Sequence, residues 1–307
     1  MPRTILLSLI FTLAIVTNAK AITIPAETIY EETSVYHHIL VVDDGDTRIL
    51  SFDGSQESKM SLTDPLKGHF EYTEYFQMPW LWDNHIEKVL MVGLGGGSTQ
   101  RAYKHFYPDV MVETVELDPA VVKVAKQYFG VTESPTHKIN VMDGRVFIKR
   151  STKQYDVIVM DAYTSNRYGS YIPYHLATKE FFQIASDHMS KDGILCYNVI
   201  GQINGWRSDI VGSLYNTIKE VFPQVYMFPA QDSENVVMVA TKSGQMYTPK
   251  MIRSECEELI NSGKVKNLRF RKLINSFINY QPSTANRSII LTDDYAPTDG
   301  LLRTGKR

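Results

Sequence analysis

A glycine-rich turn and an acid further along the chain have the spacing of a ligand-binding site. The stretch VLMVGLGGGSTQRAYKHF reads as a buried strand, a turn and the start of a helix, and its turn contains four glycines: Gly93, Gly95, Gly96 and Gly97. Glu116 follows Gly95 by 21 residues. Glycines let a ligand approach the backbone, and an acid at this distance accepts hydrogen bonds from ribose hydroxyls. The spacing indicates a nucleoside site, with a tight turn that binds no ligand as the alternative.

Two further acids end apolar runs in the same way as Glu116. Asp143 ends KINVMDG and Asp161 follows the apolar part of YDVIVMDAY. In an open parallel sheet the ligand crevice lies beyond the carboxyl ends of the strands, and carboxylates that converge there repel unless a ligand or cation shares them. We therefore expect the three acids to share one site. The alternatives are that Asp143 caps the helix RVFIKR and that Asp161 is an N-cap or loop acid.

The elements that position these acids alternate between strands and helices from about Lys88 onward. Five continuous apolar runs are typical of strands covered on both faces: KVLMVGLG, VMVETVELD, KINVMDG, YDVIVMDAY and GILCYNVI. This alternation predicts an α/β fold with a doubly wound parallel sheet and right-handed crossovers over residues 83–307. Residues 22–82 predict a small N-terminal β domain, because SVYHHILVVDD and TRILSFDG meet at the turn DDGD as a β-hairpin.

Composition and charge exclude several classes of protein and site. The 307 residues carry a formal net charge of −2 without a long Lys/Arg run, which argues against a nucleic-acid partner. Cys196 and Cys256 define no disulfide framework, and whether they are bridged stays open. No cysteine–histidine cluster has zinc spacing, so no metal site is expected.

The first 21 residues have the pattern of an export signal. Arg3 precedes the 12-residue apolar core ILLSLIFTLAIV at positions 5–16, and AKA at positions 19–21 is an A-x-A cleavage site. Twelve apolar residues are too few to span a bilayer comfortably. We predict that residues 1–21 are a cleaved signal peptide of a periplasmic or secreted protein. A membrane anchor formed by residues 5–16 and a cytoplasmic protein are the alternatives.

Several segments resemble a known family: VLMVGLGGGSTQR, VETVELDPAVVKVAKQYFG, INVMDGRVFIKR, YDVIVMDAYTS, IPYHLATKEFF, SVYHHILVV, LSFDGSQES and LTDDYAP. They are similar to the spermidine synthase family of polyamine aminopropyltransferases, in particular to its divergent spermidine synthase-like branch. The resemblance covers roughly residues 30–241 and the last of these motifs. It implies a class I methyltransferase-like (Rossmann-like) domain that transfers the aminopropyl group of decarboxylated S-adenosylmethionine to a diamine such as putrescine, releasing methylthioadenosine.

The resemblance also implies roles for particular residues. Asp161 would be the catalytic residue that accepts a proton from the reacting amine, and Tyr72 would lie near that amine. Tyr163, in the segment that follows Asp161, is the other predicted substrate-binding residue. Within the cofactor site, Glu116 would hold the ribose, and Asp143 with Gly144 the adenine. The other cofactor-binding residues would be Gly93, Gly95, Gly97 and Gln56.

Three positions depart from the family pattern. Gly96 and Thr164 stand where family members have aspartates, and His37 stands where they usually have a glutamine. A diamine carries two positive charges, so the loss of two carboxylates should weaken its binding.

The roles of two segments near the expected crevice stay open. We predict that the segment AYTSNRYGSYIPYHLATKEFF lies over the crevice as a gate. Its tyrosines either hold an alkylammonium by cation–π attraction or only pack the loop onto the domain. They are Tyr163, Tyr168, Tyr171 and Tyr174. In LTDDYAP, Asp293 and Asp294 either reach the acceptor pocket or cap a turn, and the turn is favoured.

The sequence therefore favours an aminopropyltransferase that acts on a small amine. An S-adenosylmethionine methyltransferase with the same cradle is the first alternative. A non-catalytic nucleoside- or polyamine-binding protein is the second, because export would separate the protein from a cofactor made in the cytoplasm. The acceptor and the oligomeric state stay open, with a homodimer as one option.

Overall fold

An antiparallel sheet forms the N-terminal part of the chain. The computed structural model describes residues 26–166, 169–205 and 208–301, so the predicted signal peptide lies outside the described residues. Four strands pair in sequence order: β1 (Glu27–Thr33), β2 (His38–Asp44), β3 (Thr47–Phe52) and β4 (Ser55–Ser61). The predicted hairpin is β2 and β3, and it continues into a larger sheet because β1 and β4 pair with its two edges.

A seven-stranded sheet forms the centre of the chain. Its strands are β5 (Lys88–Val92), β6 (Met111–Glu116), β7 (His137–Val141), β8 (Tyr155–Met160), β11 (Met189–Ile200), β12 (Gln224–Pro229) and β13 (Asn235–Thr241). They lie in the order β12-β13-β11-β8-β5-β6-β7. The strands from β11 to β7 pair in parallel, whereas β13 is antiparallel to β11 and β12. The five strands predicted from the apolar runs are the parallel ones, β5 to β8 and β11, and the prediction of a doubly wound parallel sheet is confirmed for them. The antiparallel edge formed by β12 and β13 was not predicted.

Helices and short segments complete the fold. The α-helices are α1 (Ser98–Phe106), α2 (Pro119–Tyr128), α3 (Gly144–Arg150), α4 (Lys179–Asp187), α5 (Asp209–Lys219), α6 (Pro249–Asn261), α7 (Phe270–Leu273) and α8 (Thr298–Leu301). The 3₁₀ segments are Glu71–Leu81, Tyr174–Leu176, Ile274–Ser276 and Ala285–Arg287. The predicted gate contains a small hairpin of β9 (Thr164–Asn166) and β10 (Gly169–Tyr171). No helix among the described residues has the length and apolar character needed to cross a membrane.

The central sheet is buried on both faces, as its continuous apolar runs predict. Met91 of β5 packs in one hydrophobic cluster, whereas its neighbours Leu90 and Val92 pack in another on the opposite face. The 3₁₀ segment Glu71–Leu81 covers the Met91 face, and every one of its residues is buried. In the same cluster Cys196 and Cys256 are both buried, and neither is bridged.

The N-terminal sheet docks on α2 and thereby reaches the carboxyl ends of the central strands. Ile39, Val41 and Leu50 pack against Val121 and Val124 of the helix. Asp118 caps α2 by accepting a hydrogen bond from the Ala120 N–H at 2.8 Å, and Pro119 begins the helix at the position that needs no N–H donor. This docking places β4 directly beside the glycine turn that follows β5.

Candidate active site

A cavity of about 150 Å³ lies where the carboxyl ends of β5, β6 and β8 meet the N-terminal sheet. Its lining includes eight of the residues predicted for the site: Tyr72, Gly93, Gly95, Glu116, Asp143, Gly144, Asp161 and Tyr163. Four acids face it, Glu57 together with the three at the strand ends, and no lysine or arginine of the described chain is among its lining residues. The prediction that the three strand-end acids converge is therefore confirmed, and the cavity suits a ligand with hydroxyl groups and positive charge.

The glycine turn brings two pieces of backbone together. Gly93 has a φ of +100°, and a Cβ at this position would lie 2.0 Å from the carbonyl oxygen of Asp161. Gly95 lines the cavity, but Gly97 does not, and a Cβ on Gly97 would lie 2.2 Å from Cγ2 of Val131. The turn thus needs glycine partly for contacts within the protein, which the sequence could not separate from contacts with a ligand.

Backbone donors orient the carboxylate of Glu116. The Leu94 N–H donates to its Oε2 at 3.0 Å, and the Asp118 N–H donates to its Oε1 at 2.9 Å. Burial raises the pKa of Glu116, while these backbone donors oppose that rise. A carboxylate accepts about four hydrogen bonds, so the fixed group can still accept one from a ribose hydroxyl.

Asp143 lines the cavity and also caps a helix, so both roles considered from the sequence apply to its position. Its Oδ1 accepts a hydrogen bond from the Val146 N–H of α3 at 2.9 Å, and its Oδ2 lies 2.9 Å from Nε2 of His175. His175 also lines the cavity. This histidine was not singled out from the sequence, because its contact with Asp143 joins residues 32 positions apart.

The C-terminal motif LTDDYAP forms a turn that supports the site from outside. Thr292 and Tyr295 pair their backbones around Asp293 and Asp294. Asp293 accepts two hydrogen bonds from Arg145 of α3, at 2.7 and 2.6 Å, and Arg145 also donates to the carbonyl of His175 at 3.0 Å. Neither acid lines the cavity. The favoured reading of a turn is confirmed, and the ion pair ties this turn to the helix that Asp143 caps.

Asp161 sits just beyond β8 with a hydrogen-bond donor on each carboxyl oxygen. Nδ2 of Asn198 donates to its Oδ1 at 2.9 Å, and the Tyr72 hydroxyl donates to its Oδ2 at 3.3 Å. Burial raises the pKa of Asp161 to about 6, and the two donors oppose that rise. A carboxyl group with this pKa is ionised at neutral pH yet accepts a proton readily, as a general base requires. Asn198 was not predicted, because its only signal in the sequence is one polar residue within an apolar strand.

The predicted gate contributes one tyrosine ring to the cavity. Tyr163 lines it, with its hydroxyl donating to the carbonyl of Asn198 at 2.7 Å and accepting from the Ile200 N–H at 3.0 Å. Tyr171 is not a lining residue, Tyr174 is 60% exposed, and Tyr168 lies outside the described residues. Of the described tyrosines in this segment, only Tyr163 can therefore present a ring face to a ligand.

The structure places Gln56 differently from the expectation drawn from the resemblance. Gln56 is exposed and does not line the cavity, whereas Glu57 and Ser58 both do. The reason is a β-bulge: Leu50 faces Ser58 across the β3–β4 ladder, and the next residue, Ser51, faces Gln56. A bulge re-aims side chains without leaving a clear sequence signal, so the residue turned inward could not be identified.

The three positions that depart from the family pattern lie at or next to the cavity. Thr164 and His37 line it, and the His37 ring stacks on Phe52 with centroids 4.6 Å apart. Gly96 donates its N–H to the Ser58 hydroxyl at 2.8 Å, and a Cβ there would lie 2.8 Å from Cβ of Ser58. An aspartate at position 96 therefore requires Ser58 to move. No group of three or more metal-ligating side chains was found among the described residues.

Comparisons with known proteins agree with this geometry. The model of the spermine/spermidine synthase domain matches residues 69–248. A polyamine aminopropyltransferase of Vibrio vulnificus is 28% identical over 282 residues, which cover 89% of this chain and 91% of that protein. These matches support the resemblance inferred from the motifs.

Solved structures share the fold. A probable spermidine synthase from Corynebacterium glutamicum superposes with a TM-score of 0.66 at 20% identity, covering 90% of this chain and 99% of that one. Human methyltransferase-like protein 13 in complex with SAH superposes with a TM-score of 0.57 at 22% identity, covering 63% and 92%. The predicted methyltransferase-like α/β fold is confirmed. Since the family model covers more than half of the chain, this protein belongs to the spermine/spermidine synthase family of transferases.

Proposed function

We propose that this protein transfers the aminopropyl group of decarboxylated S-adenosylmethionine to a small diamine of the putrescine type. The observation that carries the proposal is the position of Asp161, whose carboxyl group is held by two hydrogen-bond donors and faces a cavity lined by acids. The family membership and the relative named a polyamine aminopropyltransferase support the reaction class.

The residues present fit an adenosyl co-substrate. The carboxylate of Glu116 is fixed by two backbone donors and can still accept a hydrogen bond from a ribose hydroxyl. Asp143 and Gly144 lie side by side on the lining, where a carboxylate suits an adenine amino group. When bound, decarboxylated S-adenosylmethionine supplies a methylene carbon that the adjacent sulfonium makes electrophilic.

The chain's own residues would then prepare the amine. Asp161 accepts the proton that the attacking nitrogen loses, and the donors Asn198 and Tyr72 hold its carboxyl group in one orientation. The rings of Tyr72 and Tyr163 line the same space and offer faces to an alkylammonium.

Product analysis separates this proposal from its alternatives. Purified protein is incubated separately with decarboxylated and ordinary S-adenosylmethionine, each with a panel of amines, and the products are identified by mass spectrometry. An aminopropylated amine supports the proposal, whereas a methylated product would replace it with a methyltransferase. The methyltransferase alternative is included because the chain shares its fold with human methyltransferase-like protein 13. Nucleoside binding without a product in either incubation would leave a binding protein.

Glu116 should be required for nucleoside affinity. Replacing it by alanine removes a charge-assisted hydrogen bond to the ribose, so methylthioadenosine should bind about 1.5 to 3 kcal/mol more weakly. A thermal-shift titration measures this, because ligand binding stabilises the folded protein. The free energy of unfolding of wild type should rise by about 2.7 kcal/mol when the methylthioadenosine concentration is 100 times the dissociation constant. Glu113→Ala is the matched control, since Glu113 lies on the same strand but pairs with Lys153 instead. Equal affinities in wild type and Glu116→Ala would refute the assignment.

We further propose that the protein is exported after cleavage behind Ala21. Arg3, the apolar core at positions 5–16 and the A-x-A motif support this. Intact-mass measurement of protein from the native host should find a chain that begins at Ile22. A soluble cytoplasmic form that retains Met1 would contradict export, and a membrane-bound form that retains residues 5–16 would indicate an anchor.

A further inference from the structure

Glu57 is the one acid of the cavity that has no role in the proposed function so far. It is the extra residue of the β3–β4 bulge, where Leu50 pairs with Ser58 and Ser51 pairs with Gln56. Glu57 therefore has no partner across the ladder, and its side chain lines the cavity while that of Gln56 is exposed. Because bulges commonly re-aim side chains beside functional sites, this placement calls for a ligand-directed role.

Serine hydroxyl groups orient the carboxyl group of Glu57, and the described lining of the cavity holds no lysine or arginine to pair with it. The Ser170 hydroxyl donates to its Oε1 at 3.3 Å, and the Ser55 hydroxyl also hydrogen-bonds to the group. Burial and the nearby charge of Asp161 raise the pKa of Glu57, while the two serines and His37 oppose that rise. Neither lysine nor arginine is found among the described lining residues, so two carboxyl groups face one space without a fixed cation.

Resting on the proposed function, we infer that Glu57 binds the ammonium group at the non-reacting end of a diamine acceptor while Asp161 faces the reacting amine. Only the attacking nitrogen of a diamine gives up its charge, so the other nitrogen enters the cavity as an ammonium. Burying that ammonium is costly unless a carboxylate pairs with it. Glu57 thereby selects diamines over monoamines of equal length.

The test compares two amines that differ only in the second nitrogen. With decarboxylated S-adenosylmethionine as donor, Glu57→Gln should raise KM for putrescine about ten- to a hundredfold, the usual effect of losing one charge-assisted hydrogen bond. The kcat for putrescine should change little, and KM for butylamine should not change. Glu57→Asp, which keeps the charge, should restore part of the loss. Glu31→Gln, an exposed acid on β1 of the same sheet, is the control.

Calorimetry of putrescine binding in the presence of methylthioadenosine separates this inference from the proposed function. If wild type forms no aminopropylated product but binds putrescine, and Glu57→Gln binds it at least tenfold more weakly, the proposed function fails and the inference stands. If wild type transfers the aminopropyl group while Glu57→Gln leaves KM and affinity for putrescine unchanged, the inference is overturned. An equal effect on butylamine, or no putrescine binding by wild type, would also overturn it. Should Glu57→Gln fail to fold, Glu57→Asp carries the same comparison with a smaller expected loss.

Discussion

Replacing Asp161 by asparagine should lower the rate of aminopropyl transfer by the 10²- to 10⁴-fold that is typical of removing a general base. The amide cannot accept the proton that the attacking nitrogen loses. The fold should survive, because an amide oxygen can still accept the hydrogen bond from Asn198. Single-turnover kinetics with saturating amine measure the effect on the chemical step directly.

The pH dependence provides a second measurement on the same group. Burial raises the pKa of Asp161 to about 6, so its carboxyl group is protonated below that pH and cannot act as a base. The wild-type rate should therefore fall as the pH drops through about 6, and the residual rate of Asp161→Asn should not show this fall. Asp156→Asn, at the other end of β8, is the control, and it should keep the wild-type rate and its fall at low pH. A wild-type rate that is unaffected by Asp161→Asn would contradict the assignment.

Replacing Gly93 by alanine should destabilise the protein and abolish nucleoside binding together. The new Cβ would lie 2.0 Å from the carbonyl oxygen of Asp161, and a backbone atom cannot move aside as a flexible side chain can. The φ of +100° adds strain for any residue with a Cβ. We expect a loss of about 3 kcal/mol or more in the free energy of unfolding, measured by urea denaturation.

The variant Gly130→Ala isolates the part of the stability loss that comes from a positive φ alone. Gly130 also has a positive φ, of +66°, but a Cβ there meets no atom within 4 Å. This variant should lose only the roughly 1 to 2 kcal/mol of left-handed strain and should keep its affinity for methylthioadenosine. Equal losses in the two variants would show that the contact between the glycine turn and Asp161 is unimportant.

Local pattern in the sequence was enough to predict the centre of the fold and of the candidate site. Strands buried on both faces leave continuous apolar runs, and the parallel arrangement forces their carboxyl ends to one edge. The convergence of Glu116, Asp143 and Asp161 follows from those two facts alone. The glycine turn was recognised, although contacts within the protein account for part of it at Gly93 and Gly97.

The features missed from the sequence depend on contacts between distant residues or on the register of strands. The bulge that turns Glu57 inward and Gln56 outward changes neither composition nor period. Asn198 is 37 residues from Asp161, and Arg145 is 148 residues from Asp293. The antiparallel edge of the central sheet was missed because an apolar strand does not record its direction.

We propose that this cavity transfers an aminopropyl group from a sulfonium to a diamine and that Asp161 accepts the proton. The most direct measurement follows both products of one reaction, with decarboxylated S-adenosylmethionine and putrescine supplied to protein that begins at Ile22. Wild type should release methylthioadenosine and aminopropylated putrescine in equal amounts, and Asp161→Asn should release neither at a comparable rate. Methylthioadenosine without an aminopropylated amine, or equal product from both proteins, would contradict the claim.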